Sequence, residues 1–235
     1  MGEFPVTQFS AIIAVKSGDP AERQRSLERL LWAYYKPVYK HLRVKWRKDP
    51  TDAEDVAHDF FARAVEKGIF GLYDPSKARF RTFVRSCLDN FVMNAEEARQ
   101  RLKRGGGLEM VAADGIEAER ELGLATGMDP EAIFDREWAR NLFARSVAIL
   151  EERLTALDKR KYFEAFKLYD LHDGAERPSY AAVAAALGVE VTSVTNYLHA
   201  ARKELRAIVL EHLREITASE EEFRDEARAV LGIEV

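Results

Sequence analysis

The sequence predicts an all-α protein: two small helical domains joined by an acidic linker, the second containing a helix-turn-helix. Three observations lead there. Apolar residues recur at three- and four-residue steps through long stretches. Glycine and proline are sparse, at 13 and 7 of 235 residues, and no stretch alternates as a half-buried strand would. The chain is 47% hydrophobic and 32% charged, a balance that suits a soluble helical protein with room for two respectable cores. The expected divisions are residues 1–104, an acidic linker over 105–139, a second domain over 140–216, and an amphipathic extension over 217–235.

Residues 7–46 read as two helices separated by Ser17-Gly18-Asp19-Pro20. The second carries Leu27, Leu30, Leu31, Tyr34, Tyr35, Val38, Tyr39 and Leu42, a broad apolar face that needs a core. Asp49-Pro50-Thr51-Asp52 breaks the chain and opens a third helix, with Thr51 or Asp52 as its cap. There, Val56, Phe60, Ala64 and Phe61 face inward, while Asp52, Glu54, Asp55 and Asp59 crowd the first two turns. Acids near a helix N-terminus are favoured by the macrodipole, which explains part of the cluster. The same acids with His58 stand at one-turn spacing and would suit a metal, but no second Asp/Glu-x-x-His copy completes a carboxylate-bridged site. A third reading is an acidic docking face for a basic partner.

Tyr73-Asp74-Pro75-Ser76-Lys77 is a loop, after which a long helix resumes around Arg79-Phe80. It interleaves Arg79, Arg81 and Arg85 with Phe80, Phe83 and Phe91. Rings beside cations suit unpaired bases, because stacking needs an exposed base while cations track phosphates. Phe80, Phe83, Val84, Leu88 and Phe91 also read as a plain core face, which leaves Tyr73 and the cations as the candidates for binding. Charge follows the same division. Lys77 to Arg104 holds eight basic residues against three acidic ones, and Gly105 to Arg140 nine acidic against three basic. A triple glycine marks the boundary between them.

Residues 178–206, PSYAAVAAALGVEVTSVTNYLHAARKELR, split at Gly188. Before it, Tyr180, Val183, Ala184 and Leu187 share one face; after it, Val191, Val194, Leu198, Ala201 and Leu205 form the stripe that would pack on the first helix. A short helix, a glycine turn and a longer helix make a helix-turn-helix. Ser193, Thr195, Asn196, His199, Arg202 and Lys203 point away from the stripe, and such groups reach base edges and phosphates. The bland alternative is a helical hairpin with a solvated face. Beyond it, Glu220–Leu231 reads as a short helix with Phe223, Ala227, Val230 and Leu231 on one side, expected to cap the second domain or dock a regulator. Cys87, the one cysteine, has no partner for a disulfide and reads as a small core residue in a reducing compartment. The run Ala11–Val15 is too short for a membrane span and no basic leader precedes it, so a cytoplasmic location is expected.

DAEDVAHDFF, then FRTFVRSCLDNF with its basic tail, then SYAAVAAALGVEVTSVTNYLHAARKELR resemble, in order, the extracytoplasmic-function class of bacterial sigma factors. The resemblance covers roughly residues 24–104 and 140–210. It implies that Asp52, Glu54, Asp55 and Asp59 bind the coiled-coil clamp of core RNA polymerase. It implies that Tyr73, Lys77, Arg79, Arg81, Thr82, Arg85 and Asn90 capture and melt the downstream (−10) promoter element, with a flipped base held by the loop. Ser193, Thr195, Asn196, His199, Arg202 and Lys203 would read the upstream (−35) element, and the acidic connector would pass along a channel made for nucleic acid. The family's recognition helix is usually richer in arginine and lysine than here, where Thr195, Tyr197 and Ala200 stand. Such a factor has no catalysis and no cofactor or metal of its own. Its partners are core polymerase, promoter DNA and a regulator such as an anti-sigma protein or a kinase acting at a residue such as Thr51. The rivals are a stand-alone helix-turn-helix regulator, a helical metal-dependent hydrolase built on Glu54, Asp55, His58 and Asp59, and a sigma mimic that sequesters an inhibitor.

Overall fold

The structure, a computed structural model, describes residues 11–15, 17–103, 129–174 and 176–234, and every regular element among them is helical. The chain divides into two compact units, residues 1–141 with 214–235, and residues 142–213. The first unit contains α1 (Ala11–Ala14), α2 (Pro20–Val44), α3 (Pro50–Glu66), a 3₁₀ turn (Ile69–Leu72) and α4 (Phe80–Lys103). It also takes the start of α5 (Pro130–Ala156) and all of α9 (Glu220–Leu231). The second unit is built from the rest of α5, α6 (Arg160–Tyr169), α7 (Tyr180–Leu187) and most of α8 (Val191–Glu215). The C-terminal extension, expected to accompany the second domain, belongs to the first unit. The side chains of Arg101 and Lys103, and all of residues 104–128 with the triple glycine and most of the linker, lie outside the described residues. Among the described residues no single helix is long and apolar enough to cross a membrane.

Helix starts follow the local chemistry. Asp19 accepts from the Ala21 N–H at 3.0 Å, with Pro20 in the first turn. Asp49 accepts from the Asp52 N–H at 2.8 Å, so the cap of α3 falls before the expected Thr51 or Asp52. Pro50 is the reason: it has no N–H to lose and its fixed φ suits the first helical position, which makes Asp49 the cap.

The first unit's core is aromatic. Phe80, Val84, Leu88 and Val92 step along one side of α4 and are buried, as are Leu30, Tyr34, Val38 and Leu42 of α2. Ala53, Ala57, Phe60 and Ala64 of α3, Phe134 and Trp138 of α5, and Phe223 and Ala227 of α9 complete it. Phe80 is the ring the others meet, with centroids 5.0 Å from Tyr73, 5.4 Å from Tyr34 and 5.9 Å from Phe70. Burying such a side chain fully is worth about 1.5–3 kcal/mol.

Two polar devices make this core possible. Pro37 lies inside α2 and is buried; having no N–H, it leaves the Ala33 carbonyl without its helical donor. Asn141 of α5 supplies one, its Nδ2 donating to the carbonyls of Trp32 and Ala33. The second device is Asp89 on α4, which accepts from His41 Nε2 at 2.9 Å, Lys45 Nζ at 2.8 Å and Trp46 Nε1 at 2.9 Å. Burial alone would raise its carboxyl, but these three donors overcome it and hold the group well below the usual carboxylate range. Because the folded pKa is depressed, this stabilisation is present above the ordinary carboxylate range and is lost as pH falls through it.

Asp89→Ala should therefore cost about 3 kcal/mol, since it strands the fully buried His41 ring and the half-buried Trp46 N–H. Urea denaturation followed by circular dichroism measures this. A midpoint unchanged from the wild type would show that the hub contributes nothing.

Candidate nucleic-acid and partner interfaces

Helix α3 buries Ala53, Ala57, Phe60, Phe61 and Ala64, the positions spaced to face α2. That fixes the remaining side as an acidic face. Glu54, Asp55 and Asp59 are exposed and Asp52 is half-buried. Among the described residues none of these four enters an ion pair. His58, on the same side, lies 3.3 Å from the Tyr35 hydroxyl. Burial and then the charge of Glu54 push the Tyr35 hydroxyl pKa up. Among the described residues no three His, Cys, Asp or Glu side chains are grouped to hold a metal ion.

The basic segment has a different fate. Tyr73 is buried at 7% exposure, its ring against Phe80 and Phe83. Its hydroxyl donates to the Ala78 carbonyl at 2.7 Å and stands 3.1 Å from Glu222 Oε1. Burial first, and Glu222 second, push that hydroxyl far above its ordinary pKa. In this conformation the ring has no open face to stack on a base. Arg79 pairs with Asp225 at 3.3 Å. Arg81 lies 3.1 Å from Glu226 and 3.5 Å from Asp135, with its guanidinium 5.0 Å above the Trp138 ring. Arg85 pairs with Glu131 at 2.6 Å and Asp135 at 3.7 Å. The side chains of Arg81 and Arg85 are only 11% and 9% exposed, so a phosphate has no approach to either. Thr82 is half-buried and Asn90 exposed. Lys77 keeps an open ammonium, 3.4 Å from Asp74 in the loop.

The neutralising acids come from two elements. Glu131 and Asp135 sit on the first turns of α5, within the stretch expected to be linker. Glu222, Asp225 and Glu226 sit on α9. Glu222 does more than balance charge: its Oε1 accepts from the N–H of Phe80, the first residue of α4, at 2.6 Å. A helix start has orphan donors, and this one is satisfied by a carboxylate distant in sequence. Glu222 Oε2 accepts from Ala218 N–H, and Ser219 Oγ from Glu222 N–H, so α9 is capped as it docks.

In the second unit, Ser179 caps α7 by accepting from Ala182 N–H at 3.1 Å. Gly188 ends that helix with φ +62°, a left-handed conformation that L side chains rarely adopt. Helix α8 then starts at Val191, the two axes bent by 96°. Val183, Ala184, Val194, Leu198 and Ala201 are buried against Leu150, Leu154, Phe163 and Phe166. Val191, expected in that stripe, is 47% exposed because it opens the first turn, before the helix meets α7. Thr195, Asn196, His199, Arg202 and Lys203 are exposed and Ser193 half-buried, so the outward face is the expected one. Tyr197 is turned to the Tyr162 ring, 4.2 Å between centroids, and Arg202 makes a paired contact to Asp170 at 2.8 and 2.9 Å.

Sequence reasoning missed Glu131, Asp135, Glu222, Asp225, Glu226 and Asp89. One signal was present for α9: Glu222 and Glu226 flank Phe223 and Ala227 at helical spacing, which puts acids on the apolar side. Comparison with protein-family models, curated proteins and solved structures finds no match to this chain.

Glu226 is 2% exposed, and burial pushes its carboxyl from 4.5 up to about 7, against the pull of Arg81 and then Arg79; Glu222 and Asp135 add to the rise. Between those values the folded state holds a proton that the unfolded chain releases. Stability should therefore fall as pH rises from 4.5 to about 7, by at most about 1.4 kcal/mol per pH unit from this group. Urea unfolding across that range would show the slope in the wild type, and its reduction in Glu226→Gln. Equal slopes in both would refute the assignment.

Proposed function

We propose that this chain is a sigma factor of the extracytoplasmic-function class, which binds core RNA polymerase in the cytoplasm and directs it to promoters. The observation that carries the reading is the helix pair of the second unit. Its 96° bend and left-handed glycine suit a helix-turn-helix, and its polar residues are presented from one side of the longer helix. The open acidic face of α3 supports the same reading as a dock for a basic partner, with Asp52, Glu54, Asp55 and Asp59 meeting the polymerase clamp. Tyr73, Lys77, Arg79, Arg81, Thr82, Arg85 and Asn90 would engage the downstream element, and Ser193, Thr195, Asn196, His199, Arg202 and Lys203 the upstream one.

The work of such a factor is binding energy. Phosphate contacts position it, base contacts specify, and capture of an unstacked base helps the duplex open. It makes and breaks no covalent bond; phosphodiester synthesis belongs to the polymerase. A regulator, protein or kinase, would set when it acts.

A stand-alone helix-turn-helix regulator has one observation in its favour: Arg81 and Arg85 of α4 are engaged within the chain, while Thr195, Asn196, His199 and Lys203 of α8 are exposed. Run-off transcription with core polymerase on a promoter-fragment library separates the two. Protein-dependent transcripts sharing a pair of sequence boxes are expected, and Asp55→Arg should abolish both transcripts and the complex with core. Binding to core unchanged by Asp55→Arg would remove the acidic-dock assignment. Lys203→Ala should weaken promoter binding uniformly and lower its salt slope by about 1. An unaltered slope would take Lys203 off the phosphate backbone.

A further inference from the structure

We infer that α9 is a built-in occupant of the nucleic-acid surface of α4, holding the factor closed until α9 is displaced. This rests on the sigma-factor reading, and it adds a regulation of that same site. The helix brings Glu222, Asp225 and Glu226 to Phe80 N–H, Arg79 and Arg81, while Glu131 and Asp135 of α5 take Arg85 and Asp135 also meets Arg81. Each guanidinium expected to track a phosphate already faces a carboxylate. The loop tyrosine, Tyr73, is sealed by the same helix through Glu222. Acids thus stand where the phosphates of a captured strand would lie, and α9 covers Arg79 and Arg81 while it is docked; Arg85 is held by the acids of α5.

The chemistry of the docked face argues for a removable helix. A purely structural helix packed on this core would gain from apolar residues throughout its inner side, because a buried ion pair seldom repays its desolvation. Here Glu222 and Glu226 are 7% and 2% exposed beside Phe223 and Ala227. Glu226 Oε2 and Asp135 Oδ1 make no aligned hydrogen bond although a guanidinium is near each. Docking therefore combines the apolar seat of Phe223 and Ala227 with charged contacts, Asp225 to Arg79 and Glu222 to the Phe80 N–H, that a polyanion can replace.

The test uses the full-length protein and a fluorescein-labelled single-stranded DNA of roughly 12 nucleotides with mixed sequence. Glu222→Gln/Asp225→Asn/Glu226→Gln, three charges lost on α9, is compared with Glu151→Gln/Glu152→Gln/Glu176→Gln, the same charge change on exposed acids elsewhere. The α9 variant should bind at least about tenfold tighter than the wild type, and the control within about twofold. In parallel, hydrogen exchange of the wild type should show the amides of Phe223–Val230 losing protection when this DNA is added at saturation, with α4 retained.

An α9 variant that keeps its circular dichroism and binds no tighter than the control overturns the proposal. So does saturating DNA that leaves α9 fully protected, a result that decides the matter alone if the triple variant does not fold. Absence of DNA binding by every variant overturns it too. The two readings fail separately: a tighter α9 variant without polymerase-dependent transcription would sink the sigma assignment and spare the cap, whereas transcription with an unchanged α9 variant would do the reverse.

Discussion

The carboxylate of Glu222 meets the first N–H of α4, and the architecture of the first unit turns on that contact. It ends the exposure of a helix start, seats α9 beside Phe80, and places Asp225 and Glu226 opposite Arg79 and Arg81. A carboxylate at a helix N-terminus is favoured by both hydrogen bonding and the macrodipole. Once it is made, the aromatic core around Phe80 is closed on the side where Tyr73 would otherwise face solvent.

Opposite charges are treated oppositely in the same unit. Asp52, Glu54, Asp55 and Asp59 of α3 enter no ion pair among the described residues, while Arg81 and Arg85 of α4 are drawn into pairs and stacked on Trp138 and Phe134. Exposed ion pairs contribute little to stability. The pairs at Arg81 and Arg85 are largely shielded from solvent, so their weight lies in what they prevent: side chains only 11% and 9% exposed are closed to a further anion.

Much of the local structure was legible because it follows from short-range rules. The bounds of α9, the helix break at Asp19-Pro20, the glycine turn at Gly188 and the inward set Val194, Leu198 and Ala201 come from spacing and turn chemistry acting over a few residues. The cap of α3 was misplaced by two or three residues because the preference of Pro50 for the first helical position outweighs a threonine or aspartate further on. What could not be read was pairing across the chain. Asp89 looks like one more acid on a basic helix, and only the fold brings His41, Lys45 and Trp46 to it. Asn141 has no local signature for rescuing the carbonyl that Pro37 strands. The arginines were legible as a basic patch but not as a covered one, because the acids that cover them arrive from α5 and α9.

The contact between Phe80 and Glu222 spans 142 residues, and that separation has a consequence during synthesis. At roughly 5–20 residues per second, α4 leaves the ribosome on the order of ten seconds before the residues that cap it. Over that interval the nascent domain has a ragged helix start, and Arg79 and Arg81 lack the acids of α9. The first unit cannot complete its fold in chain order: its final element is the last to be translated, and closing so long a loop makes that step late in folding as well. Each molecule therefore passes once through the open form before it first closes.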